Sequence, residues 1–260
     1  MFSVEHLNKL RSYEIEQIVS HLTPGVRVLE IGAGTGRQAA ELVARGFKVT
    51  AIEIANSNYA AERMFDIVDY DGRTIPFPDK SFDIVFSSNV LEHVPDLSRL
   101  HSEILRVLAP SGHCVHVLPT HSWRLWTTLI TFPDMLYVFT SFASLFPRPS
   151  LSVSEAKRLA SSWWNVAKRC ASPFVQRRHG ERGNVISELW LFHPGWWRRN
   201  FAENGFAVVE DTPMGLFYTG NMLLGARWSF DSRKRAAAWL GSACHLFKLR
   251  PQDRAQDAGR

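Results

Sequence analysis

The sequence has 260 residues, a formal net charge of +5 at pH 7 and 45% hydrophobic side chains, which is the composition of a globular protein with one large domain. Its three cysteines, Cys114, Cys170 and Cys244, are far apart in sequence and contain no CxxC pair. They therefore exclude a cysteine metal centre and a disulfide framework, and they fit a reducing cytoplasm.

Much of the positive charge lies from Arg233 onward, where it is typical of a solvated basic tail. Basicity also permits nucleic acid, anionic lipid or a phosphorylated substrate as a partner. The first ten residues mix charged and apolar side chains, without the apolar core of a signal peptide. We therefore expect a cytoplasmic protein.

The N-terminal stretch has the apolar spacing of one or two amphipathic helices, and Thr23-Pro24-Gly25 then ends them. We expect residues 1–23 to form a helical cap on a single domain that covers residues 1–250.

A strand, a glycine turn and a helix follow, in the segment V-R-V-L-E-I-G-A-G-T-G-R over residues 26–37. The short apolar run before Gly32 is typical of a buried strand. Gly32, Gly34 and Gly36 remove side chains from the turn, so that a ligand can lie against the backbone. This arrangement opens an α/β nucleotide-binding unit.

The turn does not match the dinucleotide pattern, because Arg37 stands where the third glycine of Gly-x-Gly-x-x-Gly is required. Glu30 precedes the turn, and its carboxylate suits a cationic or hydroxyl-bearing ligand and would repel phosphate. S-adenosylmethionine (SAM) carries an ammonium group, a sulfonium and ribose hydroxyls, and no phosphate. The stretch resembles the first motif of class I SAM-dependent methyltransferases, in which a leading segment such as 1–23 often covers the cofactor.

The second strand, Lys48–Ile52, ends in Glu53. An acidic residue about 20 positions after the glycine turn is placed to accept hydrogen bonds from ribose hydroxyls. Ala33 within the turn and Ile54 after Glu53 complete this part of the predicted cofactor site.

The block I-P-F-P-D-K-S-F-D over residues 75–83 resembles the L-P-F-P-D-x-S-F-D signature of the UbiE-like, or methyltransferase-11, family. The resemblance implies that Asp71 contacts the adenine amine and that Gly72 lets the ring lie near the backbone. Asp69 is a competing candidate, because the Asp-Tyr-Asp run permits a shifted register.

A fourth strand, residues 83–87, leads into S-N-V-L-E-H-V, which resembles the strand-four motif of that family. The resemblance implies that Asn89 hydrogen-bonds the cofactor and that His93 faces the reaction side. His93 is the main candidate for a general base, and a structural histidine that bonds a backbone carbonyl is the alternative.

The fifth strand is predicted over residues 113–118, after a helix that Pro110-Ser111-Gly112 ends. His113 and His116 should point to opposite faces of this strand, because successive side chains alternate. We therefore predict that no metal is bound.

A long connection, residues 119–195, is rich in tryptophan and arginine and emerges beside the predicted ligand crevice. We interpret it as a helical insertion that recognises the methyl acceptor. His121 is a second catalytic candidate, and His121 and the His179–Arg182 run are polar groups that could reach the acceptor. Residues 123–147 are very apolar, so peripheral contact with the inner face of the membrane is one hypothesis and packing onto the main domain is the favoured one.

The sixth strand is predicted at residues 207–210, and a seventh is predicted to begin near Asn221 and to insert antiparallel between strands five and six, as the resemblance implies. A short helix over 233–247 and a disordered tail over 251–260 are expected to follow.

The sequence thus predicts an α/β fold with a doubly wound, mostly parallel seven-stranded Rossmann-like sheet. The resemblance implies methyl transfer from SAM, with S-adenosylhomocysteine as product, to a small-molecule acceptor. An oxygen of a sugar, a lipid-linked intermediate or another metabolite is the favoured acceptor. A non-catalytic SAM-binding partner, an RNA or protein methyltransferase and a nucleotide-binding oxidoreductase remain alternatives, although no N/D-P-P-Y/F motif or RNA-binding module is present.

Overall fold

The computed structural model describes residues 4–132, 177–220 and 225–252. Its strands are β1 Arg27–Ile31, β2 Lys48–Ile54, β3 Ile67–Tyr70, β4 Phe82–Ser88, β5 Leu108–Pro119, β6 Phe206–Pro213 and β7 Cys244–Pro251. They form one sheet in the order β3-β2-β1-β4-β5-β7-β6. All neighbouring strands run parallel except β7, which is antiparallel to β5 and to β6. The predicted sheet is confirmed.

The described helices are α1 Val4–Val19, α2 Arg37–Ala44, α3 Leu97–Val107, α4 His121–Leu129, α5 Glu188–Leu191, α6 Pro194–Glu203 and α7 Phe230–Leu240. Short 3₁₀ turns occupy Ala60–Glu62, Leu91–His93 and Gly225–Arg227. None of the helices within the described ranges combines the length and apolar character needed to cross a membrane.

Apolar side chains cover both faces of the sheet, as a doubly wound fold requires. On one face, Val28 and Phe86 pack in a buried cluster with side chains of α1 and α2. On the other, Leu29 and Val85 pack in a second cluster with side chains of α3 and α6. Because both faces are covered, a polar ligand can bind only at the edge of the sheet where the parallel strands end.

The seventh strand lies between β5 and β6 as predicted, but its predicted place in the sequence was wrong. From Gly225 the chain forms a 3₁₀ turn and then α7, whose N-cap Ser229 accepts a hydrogen bond from the backbone of Ser232. The strand is Cys244–Pro251, which begins inside the stretch predicted to be helical, residues 233–247, and ends at the first residue of the predicted tail. Burial is nearly continuous along this strand, so it lacks the alternation that distinguishes a strand from a buried helix.

The connection between β5 and β6 is helical where it is described, in α4, α5 and α6. Residues 133–176, which hold part of the predicted substrate-recognition insertion and most of the 123–147 segment, lie outside the described residues. Residues 253–260 of the predicted tail also lie outside them, and Pro251 belongs to β7.

Candidate functional site

The glycine turn after β1 adopts backbone conformations that favour glycine. The φ angles of Gly32, Gly34 and Gly36 are 74°, 57° and 78°. A Cβ atom on Gly32 would lie 2.4 Å from Cγ2 of Val90, and one on Gly36 would lie 2.4 Å from Cβ of Phe65. The turn therefore needs glycine both for its conformation and for close packing on its flanks.

Glu53 is hydrogen-bonded to the same turn. Its Oε2 accepts a hydrogen bond of 2.7 Å from the backbone N–H of Gly34, and its Oε1 accepts one of 2.8 Å from the N–H of Ile54. The residue is 9% exposed, so its carboxylate is shielded but can be reached from the cavity beside it. This arrangement holds an acceptor group at the carboxyl end of β2.

Glu30 lies on the neighbouring strand β1 and is 2% exposed. Burial, and secondarily the nearby charge of Glu53, raise the pKa of the Glu30 carboxyl from 4.5 to about 8, while a hydrogen bond from the Ala39 backbone lowers it in part. Oε2 of Glu30 has no hydrogen-bond partner among the residues that the structure describes. At neutral pH, the Glu30 side chain therefore holds a proton.

This raised pKa gives a prediction about stability. Between the ordinary pKa of 4.5 and about 8, the folded state binds more protons than the unfolded state, so the free energy of unfolding falls as pH rises through this window. Glu30→Gln removes the titrating group and keeps the shape. We expect thermal unfolding from about pH 5 to pH 8 to show a smaller loss of stability in the variant. If the free energy of unfolding fell equally with pH in both proteins, the raised pKa of Glu30 would be contradicted.

A cavity of about 470 Å³ opens between the glycine turn, the segment after β2 and the segment after β4. This volume is within the range of small-molecule sites. The carboxyl ends of the two central parallel strands β1 and β4 meet here, which is where open α/β sheets bind ligands. It is lined by Arg11, Gly32, Ala33, Gly34, Thr35, Arg37, Gln38, Glu53, Ser57, Tyr59, Glu62, Ser88, Asn89, Val90 and His93.

The cavity thus brings together six of the residues predicted from sequence: Gly32, Ala33, Gly34, Glu53, Asn89 and His93. Sequence reasoning missed Arg11 and the polar residues that follow β2. Two features of the sequence could have indicated these residues: Arg11 is a charged residue within a predicted amphipathic helix, and Tyr59 is an aromatic residue shortly after β2. This ring lies 3.5 Å from the position of a Cβ on Gly34.

Asp71, Gly72 and Ile54 lie together at the sheet edge, outside the set of described residues that line the cavity. A Cβ on Gly72 would be 3.4 Å from Cγ2 of Ile54. Asp71 is exposed, and its Oδ1 accepts hydrogen bonds of 2.8 and 2.7 Å from the backbones of Arg73 and Thr74, which lower its pKa. The adenine contact of Asp71 stays a prediction.

Asp69, the competing candidate, pairs with Arg63 at 2.6 Å. It lies opposite Glu53 in the register of β2 and β3. The carboxylate of Asp69 is thus paired with the guanidinium group of Arg63.

Asn89 has the unusual φ angle of 55° directly after β4. Its backbone N–H donates to the carbonyl of Val117 at 2.8 Å, and its side-chain amide donates to Oγ of Ser88 at 3.2 Å. Asparagine tolerates this left-handed conformation better than most residues, and such positions cluster at functional sites. The conformation holds the Asn89 side chain at the cavity wall.

His93 ends the 3₁₀ turn after β4, and its side chain is 42% exposed at the cavity. Burial lowers the pKa of its imidazole, Glu181 raises it and Arg182 lowers it further. The ring is therefore neutral at neutral pH and can accept a proton.

His121 is not brought to the cavity by the described part of the fold. It begins α4, and its ring packs against His193 with 4.8 Å between centroids. Burial lowers its pKa. Its suggested catalytic role stays a prediction with no support from the cavity lining.

The end of the long connection binds the 3₁₀ turn that carries His93. The backbone N–H of Glu181 donates to the carbonyl of Glu92 at 2.9 Å, and Arg182 donates to the carbonyls of Val94 and Leu91. Arg182 also lies 5.4 Å from the ring centroid of Trp196. The predicted insertion therefore reaches the cavity wall.

A buried ion pair fixes this end of the connection. Nε of Arg124 lies 2.9 Å from Oε2 of Glu188, and their side chains are 4% and 0% exposed. The other carboxylate oxygen of Glu188 accepts hydrogen bonds from the backbones of His179 and Gly180. The pair thus joins α4 and α5 to the loop that carries His179.

Comparison with known proteins matches residues 29–116 to the family described as "Methyltransferase domain". An uncharacterized methyltransferase of Mycobacterium sp. (strain KMS) is 39% identical over 118 residues, which cover 44% of this chain and 45% of the relative. Sterol 24-C-methyltransferase ERG6B of Gibberella zeae is 33% identical over 102 residues, which cover 35% of this chain and 27% of that protein. The chain thus spans less than half the length of these curated relatives.

Among solved structures, a SAM-dependent methyltransferase from Aquifex aeolicus has a TM-score of 0.51 and 14% sequence identity, with 96% of this chain and 98% of that chain covered. The likeness therefore extends over the whole sheet and shows a shared fold.

Proposed function

We propose that this chain, which matches the methyltransferase-domain family over residues 29–116, transfers the methyl group of SAM to an oxygen of a small-molecule acceptor. The observation that carries the proposal is the cavity over the glycine turn, with the carboxylate of Glu53 at its wall. SAM supplies a methyl group that its sulfonium has already activated, so the protein's main tasks are alignment and exclusion of water.

The residues of the cavity fit this cofactor. The turn at Gly32 and Gly34 presents backbone without side chains, and Glu53 offers two acceptor oxygens suited to ribose hydroxyls. The cations Arg11 and Arg37 also line the cavity and can pair with the amino-acid carboxylate of SAM. Glu30 is not among the described residues that line the cavity, and its raised pKa leaves Glu53 without a second buried charge beside it.

For an oxygen acceptor, a group must take up the hydroxyl proton. We assign this role to His93, because its neutral imidazole lines the cavity. The end of the insertion supports a role in acceptor recognition, because Arg182 donates to the carbonyls of Leu91 and Val94 beside His93.

Acceptor screening with methyl-labelled SAM tests this function. The screen should contain sugars, lipid-linked intermediates and other hydroxylated metabolites, and also RNA, protein and a sterol, since one distant relative is named a sterol methyltransferase. We expect label in a small molecule. Label only in RNA or protein would contradict the proposed acceptor class. SAM binding without transfer to any acceptor would instead favour a non-catalytic partner protein.

The cytoplasmic location, with peripheral contact of residues 123–147 at the inner face of the membrane, is part of the same proposal. Leu125 and Leu129, one turn apart on α4, are 38% and 41% exposed, which gives this helix an apolar surface. No specific nucleic-acid partner is proposed.

A further inference from the structure

We propose that Glu92, His93 and His179 form a binding site for a divalent transition-metal cation at the wall of the cavity. The sequence analysis predicted no metal from the cysteines and from His113 and His116, and it did not group these three residues, of which His179 is far from Glu92 and His93 in sequence. The fold brings the three side chains together, and their candidate ligand atoms all lie within 4.8 Å of one another. This binding site goes beyond the proposed methyl transfer and does not depend on it.

The distances are close to those that a bound ion requires. Oε1 of Glu92 lies 3.8 Å from Nε2 of His93 and 3.9 Å from Nε2 of His179. Ligand bonds of about 2.0–2.2 Å in tetrahedral geometry place ligand atoms roughly 3.4 Å apart. Small side-chain rotations therefore suffice to bring the three atoms around one ion.

The environment of the Glu92 side chain is the strongest argument for a cation site. Its side chain is 0% exposed, and neither carboxylate oxygen accepts a hydrogen bond from any residue that the structure describes. The two nearby guanidinium groups are directed elsewhere: Arg11 pairs with Glu14 at 2.6 Å, and Arg182 donates to main-chain carbonyls. Burial of a polar group without a partner is costly, and a coordinated cation would remove this cost.

His179 is held in position by the surrounding structure. Its backbone N–H and that of Gly180 donate to Glu188, and its ring packs 4.7 Å from that of Trp123. A Cβ on Gly180 would lie 2.7 Å from the carbonyl oxygen of Glu92, so only glycine lets this loop approach the 3₁₀ turn. These contacts fix the loop that carries His179 beside the 3₁₀ turn of Glu92.

Two imidazole nitrogens and one carboxylate oxygen suit Zn²⁺ and related first-row cations. Three protein ligands leave a fourth position for water or for an oxygen of the acceptor. An ion at this site would hold Nε2 of His93 as a ligand, so the proton-accepting role proposed for His93 belongs to the metal-free protein.

Direct metal titration tests the site. The full chain, without a polyhistidine tag and after removal of metals by a chelator, is titrated with Zn²⁺ by calorimetry and with Co²⁺ by visible absorption. We expect one equivalent of each to bind, and we expect Glu92→Gln and His179→Asn each to weaken affinity by at least tenfold. His21→Asn is the matched control, because His21 also lies near a carboxylate, 3.4 Å from Glu210. It should leave the affinity unchanged.

Absence of stoichiometric binding would overturn the proposal, and so would equal affinity of the parent and both variants, since that is adventitious binding. Thermal unfolding of each variant shows whether it is folded, and the 36% exposed side chain of His179 makes its replacement the milder change. SAM titration of the metal-free proteins reports the cofactor cavity separately, so failure of metal binding and failure of the proposed function are distinguishable.

Discussion

Replacing Glu53 by alanine is expected to weaken SAM binding by about 100-fold, which corresponds to about 3 kcal/mol. In the proposed complex, the two carboxylate oxygens accept charge-assisted hydrogen bonds from ribose hydroxyls, and each such bond contributes roughly 1.5–3 kcal/mol. The variant also loses the hydrogen bond from Gly34, which holds the turn against β2. Calorimetric titration with SAM measures the change.

Two further variants test whether the loss of SAM affinity is specific to the carboxylate of Glu53. Glu53→Gln keeps one acceptor oxygen and should fall between the parent and Glu53→Ala. Glu41→Ala removes a partly buried carboxylate of α2 that pairs with Arg45 at 3.1 Å and does not line the cavity, and this variant should bind SAM like the parent. A dissociation constant for Glu53→Ala within threefold of the parent value would contradict the role of Glu53.

Arg124→Ala is expected to lower the free energy of unfolding by about 3–5 kcal/mol. The substitution leaves Glu188 buried and charged without its cation, because both side chains are almost completely shielded from solvent. The two backbone donors of the His179 loop remain, and they do not replace a guanidinium group. Chemical denaturation of the parent and the variant measures the difference.

The control for Arg124 is an exposed ion pair of the same type. Arg27 and Asp83 are 2.9 Å apart, and their side chains are 51% and 32% exposed. Arg27→Ala should have a much smaller effect, because solvent screens exposed pairs and replaces their interactions. Equal losses in the two variants would show that burial of the Arg124 pair has no special energetic role.

Local sequence was sufficient to predict the centre of the fold. The glycine turn and Asn89 each follow a short apolar strand, Glu53 lies at the end of another, and in a parallel sheet such strand ends meet at one edge. The order of the strands is therefore sufficient to predict that these residues line the same cavity. The same reasoning covers His93, five residues after β4.

Contacts between distant parts of the chain could not be predicted in this way. Arg11 reaches the cavity because α1 packs on the sheet, and His179 reaches Glu92 because the Arg124–Glu188 pair fixes its loop. Neither contact leaves a periodic signal in the sequence. The seventh strand was misplaced for a related reason, since burial between two strands removed its alternation.

Calorimetric titration of the full chain with SAM, S-adenosylhomocysteine and NAD tests the central claim most directly, namely that the cavity over the glycine turn binds an adenosyl sulfonium compound. We expect SAM and S-adenosylhomocysteine to bind with one site per chain and NAD to give no binding heat. Binding of NAD together with no heat from SAM or S-adenosylhomocysteine would contradict the account.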